Sequence, residues 1–403
     1  MRISAEKMKF VLRPSVQTLQ NIFSKYNYEI RVAGGAVRDL LMDRIPTDLD
    51  FATTATPNEM KNMFTSEEIR MINVNGEKHG TITARIEDDN LECSTLRVDK
   101  IIDGGHKEIE FIRDWKQDAN RRDLTVNAMF LGLDGTVYDF FNGIQHLKER
   151  KVKFVENPDA RIKEDPLRII RYFRFFGALV NDPHTHDPEA IASIIRNRDG
   201  LSKVSGERII TEFRKILTGR YNFEMLSKMI ECKLGDHIGL SRDFDCENLS
   251  KIYKYIKDTD YHYCLLLAAG MTDVEEATTF INRVKGTNKE KEMLLFIIKY
   301  RDSYYNIQSL KEVRDLLVDF VYKEKKGHSL ALDLSKQLLL YVGRKDLLNE
   351  VNENLIPHFP IRGGLLVDKV ENKKFIQREL NKLLDLWKES DYTLSRDELL
   401  NKV

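Results

Sequence analysis

"VAGGAVRDLLMDRIPTDLDF", residues 32–51, predicts a strand, a tight turn at Gly34 and Gly35, a short helix and a second strand. In the second strand, Asp48 and Asp50 are expected to share one face, because successive side chains of a strand point to opposite faces. Two carboxylates on one face repel each other unless a positive charge lies between them. The stretch therefore predicts a mixed α/β domain that holds a cation.

The glycine turn is suited to a phosphate group. Gly34 and Gly35 let the backbone approach a ligand closely, and the helix that follows presents free N–H groups. Arg38, one turn into this helix, would add a charge-assisted hydrogen bond. The spacing matches neither G-x-G-x-x-G nor a P-loop, so neither site is predicted. A turn that only ends a strand would look the same, so the glycines alone do not decide the function.

The two aspartates add the second half of a phosphoryl-transfer site. Mg²⁺ prefers carboxylate and phosphate oxygens, and a pair of ions can clamp the attacking and leaving oxygens of a phosphoryl transfer. A third carboxylate is expected from a neighbouring strand, and Glu92 in "NLECSTLR" is flanked by apolar residues that would be buried. The alternative for Glu92 is an ordinary solvated strand residue. Asp48 and Asp50 are predicted as the metal ligands, with Glu92 as a third catalytic carboxylate.

These elements in this order resemble the DNA polymerase β superfamily of nucleotidyltransferases. More narrowly, the sequence is similar to class II tRNA nucleotidyltransferases, the CCA-adding enzymes, and to their animal mitochondrial type in particular. Bacterial poly(A) polymerases share this core. The resemblance runs through residues 30–220. It implies an α+β protein, with an N-terminal mixed α/β nucleotidyltransferase head and an all-helical C-terminal region.

The segment "RRDLTVNAMF", residues 121–130, is similar to the second motif of this family. The resemblance implies that Arg121, Arg122 and Asp123 contact the ribose and phosphates of the incoming nucleotide, as Gly35 and Arg38 would contact its triphosphate. The structural alternative is a basic turn, capped by Asp123, before an amphipathic helix.

The segment "EDPLRIIRYFRFFG", residues 164–177, resembles the motif that selects the nucleotide. Asp165 before a proline is also a good helix cap. Arg168, Arg171 and Arg174 are spaced along one helical face, and with one nearby acid they are expected to repel each other unless they meet an anion.

An aspartate acceptor beside an arginine donor matches cytosine and adenine, since both present an amine next to an unprotonated ring nitrogen. Guanine and uracil present a carbonyl and a ring N–H instead, and each mismatch costs about 1–3 kcal/mol. Asp165 and Arg168 are therefore predicted to select CTP and ATP, with Arg171 and Arg174 in support.

Other segments have simpler interpretations. Residues 98–111 resemble the family's flexible loop, and residues 205–217 its last motif, predicted to be a supporting helix. "HTHDPEA", residues 184–190, is interpreted as a helix cap at Asp-Pro, although a metal-dependent phosphohydrolase would also use His and Asp. Trp115 and Trp387 are expected to pack in cores rather than stack on bases.

The chain has 403 residues, which predicts two to four domains, and a net charge of zero, so that nucleic acid would bind a local basic surface. Four scattered cysteines without a C-x-x-C pair argue against a zinc site or a secreted disulfide framework. No apolar run is long enough for a transmembrane helix, and no membrane partner is expected. The predicted domains are a catalytic head, a neck that selects the nucleotide, a helical body and a tRNA-binding tail: 1–155, 156–220, 221–300 and 301–403.

The predicted function is template-independent addition of CCA to tRNA 3′ ends from CTP and ATP, with Mg²⁺ as cofactor. The partner is tRNA, bound through its acceptor arm and 3′ end. The expected location is the mitochondrial matrix, with the cytoplasm and nucleus left open. Poly(A) synthesis, or partial CC or A addition on the same fold, is the nearest alternative. A non-catalytic RNA-binding protein is the second alternative.

Overall fold

The computed structural model describes residues 1–72, 74–101, 107–370 and 372–403. The chain forms two compact units, Met1–His237 and Ile238–Val403. The predicted mixed head with a helical remainder is confirmed, because the strands lie in the first unit and helices make up the second. The finer domain boundaries remain a prediction. Within the described ranges, no helix has the length and apolar character needed to span a bilayer.

The strands of the first unit form a mixed sheet and a separate hairpin. Their bounds are β1 (Ile30–Ala33), β2 (Asp50–Thr53), β3 (Arg70–Ile72), β4 (Thr81–Ile86), β5 (Asp89–Thr95), β6 (Arg97–Ile101), β7 (Lys107–Phe111), β8 (Met129–Gly132) and β9 (Val137–Asp139). The order in the sheet is β3-β4-β5-β2-β1-β8-β9, and β6 pairs with β7. The β2 and β5 strands run parallel, with Asp50 opposite Glu92. This register brings two of the predicted catalytic carboxylates side by side.

Helices surround the sheet and then continue alone. Up to the boundary between the units they are α1 (Ala5–Met8), α2 (Pro14–Lys25), α3 (Gly35–Leu41), α4 (Pro57–Ser66), α5 (Trp115–Asn120), α6 (Gly143–Lys148), α7 (Pro158–Glu164), α8 (Arg168–Leu179), α9 (Pro188–Asn197), α10 (Gly206–Leu217), α11 (Asn222–Glu231) and α12 (Gly235–Ile238). Beyond it they are α13 (Cys246–Ile256), α14 (Cys264–Gly270), α15 (Val274–Val284), α16 (Asn288–Tyr300), α17 (Leu310–Val318), α18 (His328–Tyr341), α19 (Ile376–Glu389) and α20 (Arg396–Leu400). Short 3₁₀ turns include Val74–His79, Thr125–Asn127, Arg198–Lys203, Lys345–Glu350, Glu353–Leu355, Gly363–Leu366 and Lys373–Phe375, and Asp319–Lys323 forms a π turn.

Local sequence explains several of these boundaries. The α4 helix begins with a capping box, in which Thr56 Oγ1 accepts from the Glu59 N–H and Glu59 Oε2 accepts from the Thr56 N–H. The turn between β4 and β5 places Glu87 in the left-handed region, at φ 52°. In β5, Leu91 and Cys93 are buried while Glu92 between them is exposed. Glu92 therefore points away from the core, as the alternation predicted.

One local prediction is wrong, and one alternative interpretation is excluded. The strand predicted across both aspartates starts only at Asp50, so Asp48 lies in the preceding connection. No amphipathic helix follows Asp123: a single 3₁₀ turn, Thr125–Asn127, leads directly into β8. All four residues of β8 are buried, because this strand lies between β1 and β9. A strand buried on both faces shows a continuous apolar run, which a helix can also show.

Aromatic packing fixes the helices that follow the sheet. Tyr172 of α8 stacks on Phe154, with ring centroids 5.5 Å apart and nearly parallel planes, and is fully buried. The α8 helix packs against α10, the helix predicted to support it. Trp115 is buried against Phe130 in the first unit, and Trp387 is buried in a core of the second. Both tryptophans are core residues, as predicted.

Candidate active site

A cleft of about 560 Å³ in the first unit collects nearly all of the predicted site residues. They come from the α3 turn, from β2 and β5, from the segment before β8, and from the α7–α8 region. Those that line the cleft are Gly35, Arg38, Asp50, Glu92, Arg121, Arg122, Asp123, Asp165, Arg168, Arg171 and Arg174. Asp48 is not among the lining residues and is exposed just before β2.

The carboxylates at one side of the cleft are only partly compensated by positive charge. Enclosure in the cleft raises the pKa of Asp50, the neighbouring Asp48 carboxylate raises it further, and Arg122 partly opposes both effects. The strand register places Glu92 directly across from Asp50. A cation at this point would relieve the repulsion that raises the pKa of Asp50. Asp50 and Glu92 therefore lie side by side at the cleft, and Asp48 lies two residues before Asp50 in the preceding connection.

The donor set fits a magnesium ion that shares its coordination with substrate. In the described ranges no group of three or more His, Cys, Asp and Glu side chains is arranged to hold a metal by itself. Mg²⁺ does not need such a cage, since it keeps waters and is usually held by one or two carboxylates plus substrate phosphates. Asp48 and Asp50 supply that number of carboxylates. The residues present therefore fit a divalent ion bound together with a nucleotide.

The glycine turn brings backbone close to the cleft. Gly34 has φ +67° and ψ −115°, a conformation that residues with a Cβ rarely adopt. A Cβ added there would lie 3.1 Å from Nη1 of Arg122. Gly35 is the first residue of α3, and Arg38 in the same helix donates from Nη1 to Oδ1 of Asn127 at 2.8 Å. The turn and the Arg38 guanidinium are therefore held at one wall of the cleft.

The two arginines of the "RRD" segment share a buried acid that sequence reasoning missed. Asp118 of α5 has a side chain only 1% exposed, and it lies 3.0 Å from Nη2 of Arg121 and 3.2 Å from Nη2 of Arg122. Burial would raise the pKa of Asp118, but Arg122 and Arg121 outweigh it and hold that pKa below its usual value. Asp118 is three and four residues before its partners, a helical spacing that was visible in the sequence.

Asp123 lies inside the site rather than at a helix start. Its Oδ2 accepts from Nε of Arg171 at 2.6 Å, and its Oδ1 accepts from the Leu124 N–H at 2.8 Å and from Nδ2 of Asn127 at 3.3 Å. Burial would raise the pKa of Asp123, whereas Arg171 and these hydrogen bonds lower it overall. Asn127 thereby links Asp123 to Arg38, a role that sequence reasoning did not assign.

The arginines of α8 do not depend on an external anion for neutralisation, so that expectation is wrong. Arg168 Nη1 donates to Glu164 at 2.7 Å, and Arg174 Nη1 donates to Oε2 of Glu212 at 2.6 Å. Arg171 Nη1 lies 3.7 Å from Glu212, in addition to its bond with Asp123. Glu164 is four residues before Arg168 and was visible in the sequence, whereas Asp123 and Glu212 come from distant segments that the spacing along α8 could not reveal.

Asp165 and Arg168 both face the cleft, but the structure records hydrogen bonds to other partners. Asp165 Oδ1 accepts from the Leu167 N–H at 3.3 Å, as a helix cap would, and its Oδ2 accepts from Nη2 of Arg208 at 2.7 Å. Arg168 Nη2 donates to the Arg121 carbonyl at 2.6 Å. Arg208 lies on α10, the helix that the sequence predicted only to support α8. Its contact with Asp165 was therefore not predicted.

The remaining predicted segments are placed as follows. The predicted loop 98–111 contains residues 102–106, which lie outside the described residues, and its flanks form β6 and β7. In "HTHDPEA", Asp187 caps α9 by accepting from the Glu189 N–H at 3.2 Å, so the cap interpretation is confirmed.

A mixed sheet with a parallel pair that carries carboxylates, a glycine turn at its edge and a basic cleft closed by helices define a nucleotidyltransferase. A model of the poly(A) polymerase head domain matches residues 30–153, and a model described as a probable RNA and SrmB binding site of polymerase A matches residues 185–240. Relatives that are 41% and 42% identical over the whole chain are named CCA tRNA nucleotidyltransferase 1, mitochondrial. The chain therefore belongs to the CCA tRNA nucleotidyltransferase family, which confirms the resemblance seen in the sequence.

The evidence for the family is similarity over the whole chain. The mitochondrial CCA tRNA nucleotidyltransferase 1 of Danio rerio is 42% identical over 402 residues, covering 100% of this chain and 93% of that protein. The Homo sapiens protein of the same name is 41% identical over 404 residues, with the same coverage. Nucleotidyl-transferring polymerases generally use divalent metal ions.

Solved structures share the fold. The CCA-adding enzyme of Bacillus stearothermophilus in complex with CTP superposes with a TM-score of 0.70 at 22% identity, covering 94% of each chain. The Thermotoga maritima CCA-adding enzyme complexed with tRNA superposes with a TM-score of 0.66 at 18% identity, covering 100% of this chain and 98% of that one.

Proposed function

We propose that this protein adds C, C and A to the 3′ ends of tRNA from CTP and ATP, without a nucleic-acid template. The proposal rests on one observation. A single cleft contains the glycine turn suited to a triphosphate, the carboxylates of Asp50 and Glu92, and the side chains of Asp165 and Arg168. The tRNA 3′-hydroxyl oxygen attacks the α-phosphorus in line, an O–P bond forms, and the bond to the β-phosphate breaks to release pyrophosphate. The second unit would bind the acceptor arm of the tRNA.

Asp48 and Asp50 are assigned to hold Mg²⁺, with Glu92 as the carboxylate beside them. When bound, the ion supplies charge neutralisation at the phosphates and lowers the pKa of a coordinated hydroxyl group. Asp50 is the first residue of β2 and lines the cleft. The parallel pairing of β2 with β5 places Glu92 next to it. Under the proposal, this negative charge would help the attacking hydroxyl group to lose its proton.

The triphosphate is assigned to the part of the cleft formed by the glycine turn and the start of α3. Gly35 offers backbone N–H groups at the start of α3, and Arg38 adds a guanidinium that Asn127 keeps in position. Arg121 and Arg122 are assigned to the ribose and phosphates together with Asp123. Because Asp118 contacts both arginines, their guanidinium groups need little reorganisation when the nucleotide binds.

Asp165 and Arg168 are assigned to select the base, because both keep unused hydrogen-bonding capacity. An ionised carboxylate has about four acceptor sites, and Asp165 uses one on Arg208 and one on the Leu167 N–H. Arg168 donates to Glu164 and to two backbone carbonyls, which leaves donors on its guanidinium for a ring nitrogen. Arg171 and Arg174, held by acids, would support this face.

The test uses tRNA that ends at the discriminator base, at C or at CC, with labelled CTP or ATP and Mg²⁺. CCA addition gives three nucleotides and then stops. Long A tails would identify a poly(A) polymerase, addition that ends after CC would identify a partial enzyme, and tRNA binding without incorporation would identify a non-catalytic binder. Each of the three would contradict the proposal.

Two variants test the assigned residues. Asp48→Ala with Asp50→Ala should abolish addition and leave tRNA binding largely intact, whereas Asp88→Ala, in the exposed turn before β5, should remain active. Arg168→Lys keeps the charge but loses the planar fork, so discrimination against UTP and GTP should weaken. Unchanged discrimination would remove Arg168 from that role.

Two of the relatives are named mitochondrial, so the mitochondrial matrix is the proposed location.

A further inference from the structure

A second, smaller pocket lies next to the nucleotide cleft and belongs to the same unit. It encloses about 240 Å³ between the end of α8, the end of α10 and the α3 region, and it shares Arg38, Arg174 and Phe175 with the cleft. We call it the basic pocket, defined by those residues together with Arg44, Lys215, Arg220 and Tyr221. None of the roles assigned above uses Arg44, Lys215, Arg220 or Tyr221.

The lining of the basic pocket contains five cationic side chains and no carboxylate. The shared arginines and Lys215 have acids nearby: Arg38 pairs with Asp39 at 2.9 Å, and Glu212 lies 4.0 Å from Nζ of Lys215. In the described part of the chain, neither Arg44 nor Arg220 has a carboxylate within salt-bridge distance, and both are exposed. The pocket therefore carries positive charge that an anionic ligand would neutralise.

Aromatic rings accompany these charges. The Arg220 guanidinium lies 4.6 Å from the centre of the Tyr221 ring, which is partly exposed to a ligand. The Arg174 guanidinium lies 4.0 Å from the centre of the Phe175 ring, which is buried and supports the arginine from below the pocket surface. The Tyr221 hydroxyl donates to the Asn181 carbonyl at 2.6 Å, so the ring is held in place. A cationic groove with aromatic rings is the arrangement that binds single-stranded nucleic acid, since phosphates meet the charges and sugars or bases meet the rings.

The chain also connects this pocket to the aspartates. Arg44 begins the segment "RIPTD" that ends at Asp48, and most of this segment is exposed. Ile45, next to Arg44, keeps 67% of its surface exposed, so an apolar side chain borders the charges here. A strand lying on this segment would run from the basic pocket toward the carboxylate pair.

We propose that the basic pocket and the segment 44–48 bind the phosphodiester backbone of the RNA 3′ end that accepts the nucleotide. This inference rests on the proposed function, since it assigns a place to the acceptor strand of that reaction. The pyrophosphate product has the same anionic chemistry, and the experiment separates the two ligands.

The test compares the full-length chain with an Arg44→Ala, Arg220→Ala double variant. For tRNA ending at CC, we expect KM to rise about tenfold, because two exposed charge contacts with phosphates are lost. The slope of log affinity for tRNA against log salt should become shallower by about 1.4, at about 0.7 per single-strand contact. The KM for ATP and the inhibition by added pyrophosphate should stay unchanged. Arg70→Ala, which removes one exposed arginine from the edge strand β3, is the matched control and should behave like the wild type.

An unchanged KM for tRNA together with an unchanged salt slope would overturn the inference. Weaker inhibition by pyrophosphate with unchanged tRNA binding would also overturn it and would assign the basic pocket to the product. If the wild type adds no nucleotide at all, the proposed function fails. The salt slope of tRNA binding still decides this inference in that case, because it requires no catalysis.

Discussion

Glu212 of α10 is the residue whose replacement should disturb the site most clearly. Its carboxylate is buried, accepts from Nη1 of Arg174 at 2.6 Å, and lies 3.7 Å from Nη1 of Arg171. Burial lowers the pKa of Arg174, and Glu212 counteracts that effect. Glu212→Gln keeps the shape of the side chain and removes the negative charge. Arg171 would then keep only Asp123, and Arg174 would lose the carboxylate that it contacts.

The expected loss of stability follows from these contacts. A hydrogen bond to a charged group contributes about 1.5–3 kcal/mol, and glutamine retains a neutral acceptor for part of it. We therefore expect Glu212→Gln to lower the free energy of unfolding of the first unit by about 2 kcal/mol. Glu212→Ala leaves the partly buried Arg174 guanidinium without its partner, and we expect a larger loss of about 3 kcal/mol, at the lower end of the range for an unpaired buried charge. Glu207→Gln, on an exposed position of the same helix, should change it by less than about 0.5 kcal/mol.

Tryptophan fluorescence can isolate the relevant unit. The two tryptophans lie in different units, so a Trp387→Phe background leaves Trp115 as the reporter of the first unit during urea unfolding. Nucleotide incorporation measured on the same variants should fall with Glu212→Gln, because Arg171 and Arg174 line the cleft. If Glu212→Gln unfolds at the wild-type urea concentration, or if alanine is tolerated as well as glutamine, Glu212 does not hold these arginines.

Three further outcomes are expected. Gly34→Ala should cost about 1–3 kcal/mol and raise the KM for CTP, since its φ is +67° and the new methyl group would lie 3.1 Å from Nη1 of Arg122. Gly364→Ala, with open space around its Cβ, is the control, and equal unfolding and kinetics for both variants would refute the strain argument. Asp118→Asn should destabilise the first unit by about 3 kcal/mol in urea unfolding and reduce incorporation, because two guanidinium groups lose a buried partner; wild-type values for both would contradict this. Burial lowers the pKa of His186 from 6.5 to about 4, so between these values the unfolded chain binds a proton that the folded chain does not, and stability falls as pH drops from 6.5 to 4. His186→Phe should flatten that pH dependence by about 1–2 kcal/mol in urea unfolding at pH 6.5 and 4.5, and an unchanged slope would refute the assignment.

Much of the site could be predicted because its determinants are local in the chain. The glycine turn before α3, the aspartate pair and the Asp-Pro cap each depend on residues within a few positions of one another. The alternation that exposes Glu92 also follows from one strand. A segment whose conformation is set by neighbouring residues prefers that conformation in any fold, so the sequence alone is enough to predict it.

The elements that the sequence did not predict correctly have determinants that are distant in the chain. The structural alternative for the segment after Asp123 was an amphipathic helix, but the segment enters β8, whose burial on both faces is decided by its neighbours in the sheet. The strand through both aspartates starts at Asp50, where pairing with β5 begins. Strand limits depend on partners distant in sequence, and a local pattern does not contain them.

By itself, the sequence determined the family, the order of the motifs and most of the residues that line the cleft. Only the tertiary structure decided which acids neutralise the arginines of the cleft. Arg171 pairs with Asp123, 48 residues away in the chain, and Arg174 pairs with Glu212, 38 residues away. Helical spacing is a local property that can be read from residue types. Ion pairing between segments depends on a distance that exists only after the chain has folded.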